Sequence, residues 1–222
     1  MNDQQQQQPL NHRLDLDRRR RLGMVEAVWG EHKSAGQIIA IARELQAAGE
    51  LMLATRVDPA KALAVQGELS DVLHHPLARC LTLGDLPKPA TASVAVLTGG
   101  SSDLPVAAEA ELALACHGVA TERIADVGVA GLQRLLNQLT HLESHRVLIV
   151  CAGMEGSLPT VVAGLVPQPV IAVPVSVGYG VSAGGRAALE GMLSSCAPGL
   201  TVVNIDNGYG AAMAALRILR GI

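Results

Sequence analysis

The residues CAGMEGSLPTVVAGLVPQPVIAVPVSVGYG, at positions 151–180, decide the fold of this chain, together with SSCAPGLTVVNIDNGYGAA at positions 194–212. The apolar runs in these stretches are continuous and do not alternate with polar residues, which is typical of parallel strands covered on both faces. Each run ends in a turn rich in glycine. One acid, Glu155, and one thiol, Cys196, lie in such turns. The pattern therefore predicts strands that end at a functional site.

The alternation of apolar strand and helix continues outward from this stretch, from residue 93 to the end of the chain. Repeated strand–helix units of this kind predict an α/β fold with a doubly wound parallel sheet, in three layers of helix, sheet and helix. In such sheets a ligand binds beyond the carboxyl ends of the strands, where the strand order reverses. The glycine-rich turns fall at those ends.

The rest of the chain predicts a smaller, separate α/β unit. The predicted regions are a disordered tail at 1–13, a small N-terminal α/β domain at 14–88 and the doubly wound domain at 89–222. Ser34 and Gln37 have the spacing of a capping box, and Asp58-Pro59 is a typical helix start. Strands are predicted at 24–30, 51–56 and 78–83. A linker rich in Pro and Gly, residues 84–92, separates the two domains.

Composition excludes several classes of function. The net charge is −3, and aromatic residues are limited to Trp29, Tyr179 and Tyr209, so neither a basic surface nor stacking platforms for nucleic acid are expected. No run of about 18 apolar residues exists to span a membrane. The four cysteines match no zinc spacing, and the seven histidines form no metal-binding motif. Without an export signal, the expected setting is a reducing cytoplasm.

The turn TGGSSD, residues 98–103, has two interpretations. Its glycines and the following helix start could bind an anion through backbone N–H groups, while Asp103 accepts hydrogen bonds from a ribose hydroxyl. Alternatively, Ser101, Ser102 and Asp103 simply cap the helix.

The other polar residues of the turns are open to two interpretations as well. Glu155 either complements a helix dipole or transfers protons. Cys196 is either an inert buried thiol or a nucleophile, which would have to be a thiolate. Asp206 and Asn207 either form a turn or reach a ligand or metal. Four arginines, Arg18–Arg21, form either a solvated arm or a contact with an anionic ligand or a neighbouring subunit.

The doubly wound domain resembles the PurE-type family of aminoimidazole ribonucleotide carboxylases and mutases. GGSSDLPVA (99–107) stands where that family has its phosphate and ribose loop, and AGMEGSLPTVVAGL (152–165) stands at its ligand turn. The family's catalytic His, in a Ser-Ala-His-Arg motif, has no counterpart in ADVGVAGLQRL (125–135). The resemblance therefore implies the PurE fold without the purine chemistry.

A related family, LarB of nickel-pincer nucleotide biosynthesis, is similar over about residues 14–220. The similar blocks, in order, are LDLDRRRRLGMVEAVWGEHKS (14–34), LATR (53–56), DVGVAGLQRL (126–135), AGMEGSLPTVVAGL (152–165), PVIAVPVSVGYG (169–180), MLSSCAPG (192–199) and VVNIDNGYGAA (202–212). Ser194 and VSAGGR (181–186) depart from the family pattern, close to the thiol.

The resemblance to LarB implies an enzyme that carboxylates the pyridinium ring of nicotinic acid adenine dinucleotide and hydrolyses its phosphoanhydride. The implied products are pyridinium-3,5-biscarboxylic acid mononucleotide and AMP. The implied co-substrate is CO₂ or bicarbonate. Mg²⁺ is expected to assist by binding the substrate phosphates, with Asp206 as a candidate ligand. No tightly bound organic cofactor is expected. Cys196 matches the nucleophile and Glu155 the residue for proton transfer. The assembly implied is a homo-oligomer, an octamer as in PurE-type folds.

The residues expected to bind this substrate form two groups. In the doubly wound domain they are Gly99, Ser101, Ser102, Asp103, Gly153 and Met154. In the N-terminal domain they are Arg19, Arg21, Lys33 and Arg56, which either grip carboxylate and phosphate groups or are solvated surface charges. Two other functions stay open: a PurE-like carboxylase or mutase acting on an aminoimidazole ribonucleotide, and a non-catalytic nucleotide-binding protein.

Overall fold

The computed structural model describes residues 12–89 and 93–221. The predicted disordered tail lies almost wholly outside the described residues, as do positions 90–92 of the predicted linker. The chain divides into two compact units, Met1–Asp85 and Leu86–Ile222.

The first unit is a mixed four-stranded sheet with three helices. Its strands are β1 (Ala27–Trp29), β2 (Met52–Thr55), β3 (Leu73–His75) and β4 (Cys80–Leu83), in the order β1-β2-β4-β3. Its helices are α1 (Arg18–Leu22), α2 (Ala35–Ala47) and α3 (Pro59–Glu68). Strands β1 and β2 are parallel, and the other two pairings are antiparallel. The three predicted strands are confirmed, whereas β3 was not predicted.

The helices of this unit begin where the sequence predicts. The Ser34 hydroxyl accepts the N–H of Gln37, and the Gln37 side chain accepts the N–H of Ser34, which completes the capping box. Asp58 caps α3 through the N–H of Lys61, and Pro59 fills the first turn, where its missing N–H has no cost. The apolar stripe of α2, from Ile38 to Leu45, is buried with the residues of β2.

The second unit contains a five-stranded parallel sheet in the order β6-β5-β7-β8-β9. Its strands are β5 (Val94–Thr98), β6 (Thr121–Ile124), β7 (Val147–Ala152), β8 (Val170–Pro174) and β9 (Thr201–Val202). Its helices are α4 (Leu104–Ala115), α5 (Leu132–Leu136), α6 (Leu139–Leu142), α7 (Leu158–Ala163), α8 (Arg186–Leu193) and α9 (Gly208–Arg220).

The helices cover both faces of this sheet, which confirms the three-layer α/β/α prediction. On one face, α5 to α8 share a buried cluster with strand residues such as Leu97 and Val150. On the other face, α4 and α9 pack against each other and against β5, β7 and β8. Strands β5, β7 and β8 are buried along their whole length, as their continuous apolar sequence predicts.

The strand order reverses between β5 and β7. The chain passes from β5 to β6 on one side and then places β7 on the other side of β5. The turns at the carboxyl ends of these two strands therefore meet at the switch point, where the N–H of Gly99 donates to the Cys151 carbonyl at 3.0 Å.

The sequence AGLQRLLNQLTHL, at positions 130–142, predicts one continuous helix, and this prediction is wrong in detail. The segment from 130 to 142 is a short 3₁₀ turn, Val129–Gly131, followed by α5 and α6. Gly131 has φ −121° and ψ 55°, which are not helical angles, and this geometry separates the 3₁₀ turn from α5. The segment is therefore broken into short helical pieces, and its first part, including Val129 and Ala130, lies beside the switch point.

Candidate functional site

A cleft of about 310 Å³ lies at the switch point, between the turns that follow β5, β6 and β7. Its lining consists of Gly99, Gly100, Ser102, Asp103, Gly128, Val129, Ala130, Arg134, Ala152, Gly153, Met154, Glu155, Ser157, Leu158 and Val177. Five of the predicted binding residues and the predicted proton-transfer residue are thus brought together. Ser101 and Cys196 do not line this cleft.

Asp103 connects the turns on either side of the cleft. Its side chain is only 5% exposed, and its Oδ2 accepts the N–H of Gly100 at 2.8 Å. Burial raises the pKa of Asp103, while hydrogen bonds from the N–H groups of Gly100, Gly153 and Gly99 oppose that rise. Asp103 therefore reaches back to Gly100, the residue before its own 3₁₀ turn, and across to the turn at Gly153, whereas no side chain of the described residues caps the start of α4.

The turn after β7 fits tightly against its neighbours. A Cβ atom at Gly153 would overlap the carbonyl oxygen of Val177, so only glycine can occupy this position. Met154 adopts a positive φ of 52°, which is uncommon for a residue with a side chain. A Cβ atom at Gly191 of α8 would lie 2.5 Å from the carbonyl oxygen of Glu155. The backbone on both sides of Glu155 is therefore held in place.

The Glu155 side chain is exposed at the wall of the cleft. Its carboxylate accepts a hydrogen bond from the hydroxyl of Ser157. This bond, followed by backbone N–H bonds, lowers the pKa of Glu155 below its usual value. An ionised carboxylate at neutral pH can accept a proton, so the geometry suits a general base.

Cys196 is exposed, whereas Cys80, Cys116 and Cys151 are buried. Burial raises the pKa of Cys116 to about 12 and raises the pKa of Cys151 well above the ordinary thiol value. Among the four thiols, Cys196 alone is therefore open to a reactant, so the interpretation of this residue as buried is wrong, while its role as a nucleophile stays a prediction.

The segment that carries Cys196 is attached to α7, the helix that begins after the Glu155 turn. The hydroxyl of Thr160 in α7 donates to the Ser195 hydroxyl at 2.8 Å. The N–H of Ala197 donates to the same Ser195 oxygen at 3.1 Å. Ser195 thereby fixes the backbone on both sides of the thiol.

Arg134 lines the cleft, although sequence reasoning did not assign it to the site. It forms an ion pair with Asp126, which has a positive φ of 59°. It is the only Lys or Arg in the lining formed by the described residues. The sequence could have indicated this role, because Arg134 lies in DVGVAGLQRL, the block after β6 that is similar to the LarB family.

Three of the four predicted cations of the first unit form ion pairs within that unit. Arg19 lies 3.6 Å from Glu50, and both residues line a pocket within the first unit. Arg21 pairs with Asp15 and Asp17. Arg56 lies 3.6 Å from Glu31. The backbone N–H of Lys33 donates to the Gly30 carbonyl. Contact of these side chains with a substrate remains a prediction.

Asp206 and Asn207 shape the turn before α9. Asp206 has a positive φ of 54°, and its Oδ1 accepts the N–H of Ser176 at 2.8 Å. Asn207 caps α9 by accepting the N–H of Gly210. Within residues 12–89 and 93–221, no group of three or more His, Cys, Asp or Glu side chains is placed to hold a metal ion. The role of Asp206 as a candidate Mg²⁺ ligand therefore stays a prediction.

No helix in the described part of the chain is both long and apolar enough to cross a membrane.

Comparison with known proteins gives the same two-part organisation. Residues 9–85 match the LarB/PurE-like N-terminal domain, and residues 93–221 match the AIR carboxylase family. An uncharacterized protein of Methanocaldococcus jannaschii is 37% identical over 212 residues, which are 91% of this chain and 82% of the relative.

Two relatives are similar to the second unit and carry a descriptive name. The N5-carboxyaminoimidazole ribonucleotide mutase of M. jannaschii is 37% identical over 133 residues, 57% of this chain and 78% of the relative. The enzyme of the same name from Pyrococcus horikoshii is 33% identical over 133 residues, 57% of this chain and 71% of the relative. Because the first unit also has its own family match, the chain belongs to the LarB-like branch of the AIR carboxylase family.

Proposed function

We propose that this protein carboxylates the pyridinium ring of nicotinic acid adenine dinucleotide and hydrolyses its phosphoanhydride, to give pyridinium-3,5-biscarboxylic acid mononucleotide and AMP. The family establishes a carboxylase- or mutase-type enzyme, and the substrate is the further step. This reaction would be the first step of nickel-pincer nucleotide biosynthesis, as the resemblance to LarB implies.

The observation that carries the proposal is the chemistry of the cleft. Its lining, among the residues that the structure describes, contains the carboxylate of Glu155 and no histidine. The PurE-type reaction on an imidazole nucleotide uses a histidine, so the cleft lacks the group that this reaction needs. The ionised carboxylate of the cleft, together with the thiol of Cys196, which is exposed outside the cleft lining, suits a different chemistry, addition to an electron-poor ring.

In the proposed reaction, the thiol converts a carbon of the electrophilic ring into a nucleophile. A pyridinium ring and CO₂ are both electrophiles, so they do not combine directly. When the Cys196 thiolate adds to a ring carbon, a C–S bond forms and an electron pair moves to the ring nitrogen. The resulting enamine carbon attacks CO₂ and forms a C–C bond. Loss of the proton from that carbon then expels the thiolate and restores the aromatic ring.

Glu155 is the residue that we assign to the proton transfer. A glutamate is ionised at neutral pH even with its ordinary pKa, and the Ser157 hydrogen bond lowers the pKa further, so Glu155 is a carboxylate that can take the proton leaving the ring carbon. In the hydrolytic step, one water molecule divides the phosphoanhydride into the mononucleotide phosphate and AMP. Mg²⁺ bound to the phosphates would neutralise charge in that step.

The remaining predicted features belong to the proposal. Backbone N–H groups near Gly99 and Gly153 would bind a phosphate, and Arg19, Arg21, Lys33 and Arg56 would bind anionic groups of the substrate. The protein would work in the cytoplasm as an octamer, and light scattering measures the assembly.

Replacement of the thiol tests the proposal. Cys196→Ala should abolish ring carboxylation, because no nucleophile remains, while the circular dichroism spectrum stays that of the wild type. Ser194→Ala is the matched control, because Ser194 is exposed two residues away and its hydroxyl donates only to the Gly191 carbonyl. A wild-type rate of ring carboxylation in Cys196→Ala would contradict the thiol mechanism.

The carboxylate is tested in the same assay. Glu155→Gln should slow turnover by about 10²–10⁴-fold, the usual contribution of a general base. Glu190→Gln removes an exposed carboxylate of α8 that pairs with Arg186, and it should leave turnover unchanged. Equal effects of the two substitutions would remove Glu155 from the proton-transfer role.

A mixing experiment shows whether one copy of the chain supplies both groups, since Cys196 lies outside the cleft lined by its own Glu155. The inactive Cys196→Ala protein and the slow Glu155→Gln protein are unfolded together and refolded as mixed oligomers, and activity is compared with that of Glu155→Gln alone. Recovery of activity requires that two copies share a site, and no recovery shows that each copy uses its own pair.

A PurE-like reaction is the second candidate, favoured by the similarity of the second unit to two mutases. Turnover of an aminoimidazole ribonucleotide, with no turnover of the dinucleotide, would establish it. Binding of the dinucleotide without turnover, unaffected by Cys196→Ala, would indicate a non-catalytic protein.

A further inference from the structure

A second pocket lies beside the cleft in the same unit. Its volume is about 500 Å³, and it lies between the end of β6 and the helices α5 and α6. Most of its lining residues have polar side chains, namely Glu122, Arg123, Asp126, Arg134, Asn137, Gln138 and His141. Nothing in the thiol and carboxylate chemistry uses this pocket.

Arg134 stands between the two cavities, because it lines both of them. Its side chain folds across Gly131, where a Cβ atom would lie 2.7 Å from Nε. The opposite end of the guanidinium forms the ion pair with Asp126. Arg134 is therefore the arginine that the two cavities share, and its neighbours fix the position of its guanidinium.

The cleft alone is small for a dinucleotide. Its volume of about 310 Å³ is at the lower end of the roughly 300–1,000 Å³ of small-molecule sites. A mononucleotide fits such a volume, and the second half of a dinucleotide then needs another cavity. A guanidinium between two cavities suits the phosphate bridge, because its planar fork donates two parallel hydrogen bonds to phosphate oxygens.

The walls of the second pocket suit an uncharged nucleoside. Glu122 already accepts a hydrogen bond from His141 at 2.7 Å, and its carboxylate would oppose a second phosphate in this place. The same carboxylate and the amides of Asn137 and Gln138 can bond ribose hydroxyls and the amine and ring nitrogens of a base. Two arginines line this pocket, but Arg123 already forms an ion pair and hydrogen bonds with Glu111, so the side at Arg134, which also lines the cleft, is the location that suits the phosphate bridge.

We propose that the pocket beyond Arg134 binds the adenosine half of a dinucleotide, and that Arg134 exchanges Asp126 for the phosphate bridge. The inference rests on the proposed function, since it names where that substrate's second half lies. Hydrolysis of the bridge would leave AMP in the second pocket and the mononucleotide in the cleft. AMP should therefore bind to the free protein and inhibit it in competition with the dinucleotide.

Two matched substitutions separate the pockets. Ala125 lines only the second pocket and Ala130 lines only the cleft, and both side chains are exposed, so a tryptophan at either place blocks one cavity without entering the core. Calorimetric titration with AMP, nicotinic acid mononucleotide and the dinucleotide gives three affinities for each variant. Thermal melts check that both variants are folded.

Opposite patterns are expected from the two variants. Ala125→Trp should weaken the binding of AMP and the dinucleotide by at least about tenfold and leave the mononucleotide unchanged, whereas Ala130→Trp should weaken the mononucleotide and the dinucleotide and leave AMP unchanged. AMP binding that resists Ala125→Trp, or that falls only in Ala130→Trp, would overturn the inference.

The guanidinium is tested separately. Arg134→Ala should weaken the dinucleotide by about tenfold or more, and Arg134→Lys should restore only part of this loss, because a single ammonium cannot form the bidentate contact. Arg186→Ala removes an exposed arginine that pairs with Glu190, and it should have no effect. Equal binding by Arg134→Ala and the wild type would contradict the role of Arg134.

The failure of this inference differs from the failure of the proposed function. If the wild-type enzyme forms both products and Ala125→Trp leaves the KM for the dinucleotide unchanged, only the role of the second pocket is contradicted. If the wild-type protein binds AMP and the two variants change this binding as expected, but no carboxylated product forms, the role of the second pocket is supported and the proposed reaction is contradicted. A protein that binds none of the three ligands contradicts both.

Discussion

The hydroxyl of Ser157 donates a hydrogen bond to the carboxylate of Glu155, two residues earlier in the turn after β7. This bond is the largest cause of the lowered pKa of Glu155. The hydrogen bond therefore keeps the carboxylate ionised to a more acidic pH than an ordinary glutamate. Both side chains line the cleft, so a bound substrate would meet a base that is ready to accept a proton.

Removal of this hydroxyl should move the acidic limb of the pH–rate profile. An ionised base is lost as the pH falls through its pKa, so a lowered pKa extends activity to more acidic pH. Ser157→Ala removes the main cause of the lowering, and its acidic limb should lie at higher pH than that of the wild type. The measurement is the dependence of kcat/KM on pH.

Ser102→Ala serves as the control for this experiment. Ser102 also lines the cleft, but it makes no hydrogen bond with Glu155 among the bonds of the described residues. Its substitution can change KM, whereas the acidic limb should keep its position. A limb that moves equally in both variants, or in neither, would show that Glu155 does not set it.

Alkylation should distinguish the four thiols. Iodoacetamide reacts with exposed thiolates, so at pH 8 the native protein should take up one label per chain, at Cys196, and four after unfolding. Peptide mass spectrometry identifies the labelled position. Saturating dinucleotide should slow the reaction if the substrate covers the thiol. Rapid native labelling of Cys116 or Cys151 would contradict their burial.

Asp103 should matter for stability as well as for binding. Asp103→Asn removes one oxygen acceptor at a buried position where three backbone N–H groups donate, so a loss of about 1–3 kcal/mol in the free energy of unfolding is expected. Asp126→Asn, which breaks the exposed pair with Arg134, should cost no more than about 1 kcal/mol. Urea denaturation measures both, and similar values would contradict the linking role of Asp103.

The pH dependence of this stability has a definite sign. The pKa of Asp103 is raised in the folded protein, so the folded state binds this proton more tightly than the unfolded state. The stability that follows is present below the ordinary aspartate pKa and is lost as the pH rises through the raised value. Asp103→Asn should lack this decline.

Gly191 should control the position of the Glu155 turn. A Cβ atom at residue 191 would lie 2.5 Å from the Glu155 carbonyl oxygen, so Gly191→Ala must displace the turn or α8. Misplacement of a reacting group lowers turnover, here by on the order of 10–100-fold. Gly67 in α3 has no heavy atom within 4 Å of a Cβ, and Gly67→Ala should stabilise the protein by about 0.5–1 kcal/mol with unchanged turnover. Unchanged turnover in Gly191→Ala would contradict the packing argument.

Much of the fold followed from local patterns. The continuous apolar runs of β5, β7 and β8 predicted a covered parallel sheet, and the Ser34 and Asp58 caps predicted two helix starts. Strand β3 was not predicted, because its three residues, Leu73–His75, depend on pairing with β4 and carry little pattern of their own. The helix after β6 was predicted as continuous, since the backbone angles of Gly131 cannot be read from its neighbours.

The candidate site was predictable only in part, for a similar reason. Glu155 and the glycine turns could be placed because the ends of adjacent parallel strands meet at one edge. The burial of Asp103 and the place of Arg134 between two cavities depend on contacts across turns that are distant in sequence. No local pattern encodes such contacts.

Mass spectrometry of the reaction products is the most direct test of the proposed reaction. The wild-type protein is incubated with nicotinic acid adenine dinucleotide, magnesium and ¹³C-labelled bicarbonate. We predict a mononucleotide that carries one additional, labelled carboxylate, together with an equal amount of AMP, and neither product from Cys196→Ala. An unaltered dinucleotide, or AMP released with a mononucleotide that carries no label, would contradict the account.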